Sequence, residues 1–94
     1  MARAVWRGKI LAESEKTHVV EGNVYFPFDS LDFQYFEESP AHTRCIWKGK
    51  ASYYDILVDG QRNTAAAWYY PAPWPLARKL KDHVAFWKEV EVEA

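Results

Sequence analysis

The chain has 94 residues, a net charge of −1, one cysteine and 17% aromatic residues, including five Trp, six Tyr and five Phe. That length sets one domain, residues 1–94, whose small core is filled by large rings. No stripe of Lys or Arg marks a nucleic-acid partner or an anionic membrane surface, and a lone cysteine excludes an intramolecular disulfide or a Cys-rich zinc site. His18, His42 and His83 show no metal-ligand spacing, so no metal and no cofactor is expected. The start, MARAVWRGKI, has no apolar leader-like run, and a soluble cytoplasmic protein is the expectation.

Ala2 to Trp6 and Ile10 to Ala12 read as strands around an Arg7-Gly8-Lys9 turn. His18 to Glu21 and Val24 to Phe26 flank Gly22-Asn23, predicting a second hairpin that ends at Pro27. Asp29 or Ser30 is placed to cap a short helical turn through Tyr35. Phe36 to Glu38 reads as a strand ended by Ser39-Pro40, with extended chain resuming at His42 to Trp47.

Cys45 to Pro71 reads as one long hairpin around Asp59-Gly60, the strongest turn signal in the chain. A two-residue turn pairs Val58 with Gln61, Tyr54 with Ala65 and Ala51 with Trp68. One face then holds Gly49, Ala51, Tyr53 and Asp55 opposite Tyr70, Trp68, Ala66 and Thr64, large residues over small. Cys45 and Trp47 join that face unless Gly49 forms a bulge. Asp55 is out of place there, because an unpaired carboxylate among rings is costly. It must pair, lie at an edge or mark a wet pocket.

Pro75 suits the first turn of a helix over Pro75 to Asp82, with Leu76 and Leu80 on one face at i, i+4. That helix ends near His83, where a cation suits its dipole, or runs on through Trp87. The alternation Glu89-Val90-Glu91-Val92-Glu93 predicts a final strand.

Several segments together resemble the DUF427 family. They are Trp6, Val20 to Phe26, Cys45-Ile46-Trp47-Lys48-Gly49 with Ala51 to Tyr54, Ala66 to Pro71, and His83-Val84-Ala85-Phe86. The resemblance spans essentially the whole chain. It implies a mostly β fold with one short helix, of the Mss4-like or β-tent kind, with two packed antiparallel sheets. Such folds often hold zinc on two Cys-x-x-Cys pairs. These are absent here, so no structural zinc is carried over. The family bears a nucleotidyltransferase label, but this chain has neither the paired carboxylates nor the phosphate loop of such enzymes. The family's activity is unknown.

The expected function is a small-ligand-binding module with an aromatic pocket. Its candidate residues are Glu21, Tyr25, Cys45, Trp47, Lys48, Tyr53, Trp68, Tyr70 and His83, and a small molecule is the expected partner. One alternative is an enzyme with Cys45 as nucleophile and His83 or His42 as base. Another is an interaction module, with a dimer through an exposed sheet edge. The oligomeric state is open.

Overall fold

The computed structural model describes residues 1–94. Nine strands form two antiparallel sheets: β1 Ala2–Trp6, β2 Lys9–Ser14, β3 His18–Val20, β4 Asn23–Pro27, β5 Phe36–Cys45, β6 Gly49–Val58, β7 Gln61–Tyr69, β8 His83–Phe86 and β9 Glu91–Glu93. The smaller sheet has the order β2-β1-β9, the larger β3-β4-β8-β7-β6-β5. This is the mostly β architecture of two packed antiparallel sheets.

Three tight turns set the hairpins. Arg7-Gly8, Glu21-Gly22 and Asp59-Gly60 all have positive φ at both positions, as a type I′ turn requires. The second turn lies one residue earlier than the expected Gly22-Asn23: Val20 pairs with Asn23. Glu21, not Asn23, therefore takes a left-handed conformation, and this redirects its side chain.

The stretch from Cys45 to Pro71 is not one hairpin. Cys45 pairs with Gly49, so Ile46-Trp47-Lys48 is itself a turn and β5, β6 and β7 form a meander. Gly49 has φ +110°, which lets the chain reverse there. β5 does not end at Pro40. It continues past an irregularity between Ser39 and His42, and Pro40 is tolerated because β5 is an edge strand.

The expected register of the second hairpin holds only near its turn. Val58 pairs with Gln61 and Ile56 with Asn63, but Tyr54 then pairs with Ala67 and Tyr53 with Trp68. β7 accommodates two extra residues in a bulge, and Ala65 within it has φ +53°. The predicted pairs Tyr54–Ala65 and Ala51–Trp68 are displaced by two positions. Because strand faces alternate with period two, Ala51, Tyr53, Trp68 and Tyr70 keep their expected shared face, while Ala66, expected with them, lies in the bulge and packs in the opposite core. The large-over-small alternation is lost, since Tyr53 and Trp68 are directly opposed.

Asp55 explains the bulge. Its carboxylate is 6% exposed and accepts hydrogen bonds from the Ala65 backbone N–H at 2.7 Å and from Arg62 Nη1 at 2.7 Å. From the far end of the chain, Trp87 donates its backbone N–H to Ala66 O at 3.0 Å and its indole N–H to Ala65 O at 2.7 Å. The bulge's polar groups thus find partners that a straight ladder would otherwise supply.

The two faces of the large sheet bury different cores. Phe26, Ile56, Val58, Val84 and Phe86 pack against Ala2, Ala4, Leu11 and Ala12 of the small sheet. The other face carries Tyr25, Ala51, Tyr70 and Ala85, covered by Ala77 and Leu80. These two come from Pro75–Leu80, which is a kinked 3-10 helix rather than the expected helix to Asp82. Three residues per turn put Ala77 and Leu80 on one face and leave Leu76 in solvent, so the i, i+4 pairing of Leu76 with Leu80 fails. His83 consequently opens strand β8 and caps no helix. Near the earlier turn, Phe28–Ser30 and Phe33–Tyr35 are separate 3-10 turns without side-chain caps. Ser30 instead donates to Pro27 O at 2.6 Å.

Candidate functional site

The aromatic face of the large sheet is only half sealed. The 3-10 segment covers the side where Tyr25 and Tyr70 lie, and both are buried. Beyond it, Lys48, Tyr53, Trp68, Tyr70 and Trp87 line a cleft of about 190 Å³. Tyr53 and Trp68 meet there because they are cross-strand partners, a result of the bulge.

The indole N–H groups of these rings are turned into the protein. Trp68 Nε1 donates to Tyr25 Oη at 3.1 Å, with the two rings edge to face at 6.2 Å. The Trp87 indole N–H is spent on Ala65 O. The Tyr53 hydroxyl shares a hydrogen bond of 2.8 Å with Thr43 Oγ1. Trp68 and Trp87 stand nearly perpendicular, 84° apart with centroids at 6.0 Å. What the cleft offers is mostly ring surface.

Its one charged lining group is Lys48. The side chain is 8% exposed, and its ammonium pairs with the carboxylate of Glu21. The same nitrogen lies 5.4 Å from the Trp47 ring centroid and 5.7 Å from that of Tyr70. Burial alone would lower the Lys48 pKa. The Glu21 carboxylate and the neighbouring tyrosine oxygens outweigh it, and the ammonium is held above its ordinary value. Glu21 is lowered in turn, chiefly by its hydrogen bond from Lys48. Burial raises Tyr25, and burial with Tyr25 alongside pushes Tyr70 up to about 12. At neutral pH the site is thus a protonated lysine, a carboxylate and two neutral phenols.

The structure brings together Glu21, Tyr25, Trp47, Lys48, Tyr53, Trp68 and Tyr70. Cys45 and Trp47 pack against the same cluster through the turn rather than along a straight strand. His83 is not in the cleft. Its Nδ1 bonds to Lys81 O at 2.7 Å and its ring packs on His18, with centroids 4.9 Å apart. Burial, then His83 and Lys79, lowers the His18 pKa. His42 bonds to Ser52 on the exposed side of β5. Neither histidine is hydrogen-bonded to Cys45. No group of three or more His, Cys, Asp or Glu side chains is gathered to hold a metal.

Sequence reasoning missed Trp87. The sequence leaves it either within or beyond a helix ending near His83, and its role depends on the bulge it clamps 22 positions away. The misplaced Asp55 was the only local sign that the strand there was irregular.

No curated protein matches the chain. A family model described as a domain of unknown function, DUF427, matches residues 1–94. The chain belongs to this family.

Proposed function

We propose that this DUF427 protein is a small-ligand-binding module and that its ligand presents a flat ring to the cleft between Trp68, Trp87 and Tyr53. The observation that carries this reading is the cleft itself. Three large, partly exposed rings are held open at a sheet surface while their hydrogen-bonding edges already have partners within the protein. Leaving such apolar area in water is unfavourable at about 25 cal/mol per Å², so a ring that covers it is stabilised by stacking as well as by desolvation. The volume sets the size. Drug-sized pockets span about 300–1,000 Å³, whereas an engineered cavity of about 150 Å³ admits benzene. A cleft of about 190 Å³ suits one ring and a small substituent.

The indole N–H resonances of Trp68 and Trp87 make the test direct. A library of single-ring fragments is titrated against ¹⁵N-labelled protein. The expected result is movement of both indole signals with a shared dissociation constant, lost in Trp68→Ala. If no fragment at millimolar concentration moves either signal, the reading is wrong.

A further inference from the structure

Resting on that ring-binding reading, we propose that the ligand carries one carboxylate, and that Glu21 occupies its place on Lys48 until it binds. The argument starts from an asymmetry in the ion pair. The Lys48 side chain is 8% exposed and that of Glu21 is 53% exposed. A buried ammonium without an anion is expensive, so Lys48 must always have a partner. Glu21 has no such requirement. It sits at a turn tip and is rehydrated as soon as it lets go.

Lys48 is also fixed in place. Its carbonyl accepts the Trp74 N–H at 3.1 Å. The adjacent Gly49 lies so close to Ala72 and Trp74 that a Cβ there would meet Ala72 O at 3.4 Å. The rings of Trp47 and Tyr70 flank the ammonium. The backbone beneath Lys48 is thus held and two rings flank its ammonium, so an anion arriving through the cleft meets the cation there. Of its three N–H donors, one is given to Glu21.

The surroundings favour an anion over a cation. Lys48 is the only charged side chain lining the cleft. At its rim Lys88 lies 5.2 Å from the Trp87 ring centroid and donates to Thr64 O. No carboxylate lines the cleft to repel the newcomer. The volume restricts that newcomer to one ring with a compact monoanionic group, which leaves out nucleotides and their polyphosphate chains.

Benzoate and benzamide test this, because they have the same shape and differ in charge. Binding is followed by the two indole N–H signals in wild type and in Glu21→Gln, with folding checked by circular dichroism. The expected result is benzoate binding about tenfold more tightly than benzamide, as a charge-assisted hydrogen bond replaces a neutral one. Glu21→Gln removes the internal competitor and should widen that ratio about tenfold further, while Lys48→Met should bring it to about one. Equal binding of the two probes by wild type overturns the carboxylate assignment and leaves the ring-binding reading standing. A wild type that binds neither overturns both. The wild-type comparison decides the matter even where a Lys48 variant fails to fold.

Discussion

Replacing Asp55 with alanine tests whether the β7 bulge is held by one carboxylate. The substitution removes the acceptor for the Ala65 N–H and for Arg62 Nη1. The Ala65 donor is buried, and leaving it unpaired costs about 1–3 kcal/mol. Arg62 is half exposed and keeps Glu37 at 3.2 Å, so the loss of its bond to Asp55 is screened by solvent and adds little. The expected loss is about 1–3 kcal/mol, set by the buried Ala65 donor. For a domain of this length that is a fall in Tm of about 4–24 °C. Urea unfolding gives the free energy directly, with an unchanged m-value showing that the native state remains compact. Asp55→Asn retains an acceptor for Ala65 and should lose about 1 kcal/mol. Nuclear Overhauser contacts report the register: Trp68 must stay opposite Tyr53 in the wild type. A change of less than about 0.5 kcal/mol in Asp55→Ala, in the range of an ordinary surface substitution, would refute the reasoning. The bulge would then be held by Trp87 and the flanking ladder alone.

Two further outcomes follow from backbone strain and from pH. Gly49→Ala should destabilise by about 1–3 kcal/mol, because φ +110° is nearly closed to residues with a Cβ. Gly8→Ala, at φ +77° with open space around it, should cost about 1 kcal/mol; equal losses in chemical denaturation would show that crowding at Gly49 is unimportant. Tyr70 and Tyr54 are both pushed up to about 12, and Tyr25 is raised as well, each chiefly by burial. A raised folded-state pKa means that these groups contribute stability fully below the unfolded value of about 10 and lose it as pH rises towards 12. Absorbance at 295 nm should therefore show three tyrosines ionising late, together with unfolding. Six tyrosines titrating as one class near pH 10 on a folded protein would contradict this.

The fold was legible where the chemistry is local. Arg7-Gly8 and Asp59-Gly60 fixed two hairpins because only a residue tolerant of positive φ followed by glycine suits a type I′ turn. The Glu-Val alternation at the end of the chain placed β9, since period two needs no knowledge of a partner. Misreadings arose where two local patterns were compatible. Gly22 serves a turn with Glu21 as well as with Asn23, and only the pairing of Val20 with Asn23 chose between them. Leu76 and Leu80 fit an α-helix, but the sheet beneath accepted Ala77 and Leu80, and the segment tightened to a 3-10 helix.

The sequence by itself determined that Ala51 and Tyr53 share a face with Trp68 and Tyr70, because alternation along a strand survives a register shift of two; Ala66, inside the bulge, crossed to the other core. Tertiary structure decided everything that makes that face a candidate site. The bulge puts Trp68 opposite Tyr53 only because Asp55 and Trp87 supply its hydrogen bonds from 10 and 22 positions away. The Lys48–Glu21 pair spans 27 positions and joins two turns on different strands. Contacts of that range leave no periodic trace in a sequence, since what selects them is the cost of burying a charge or a backbone amide without a partner.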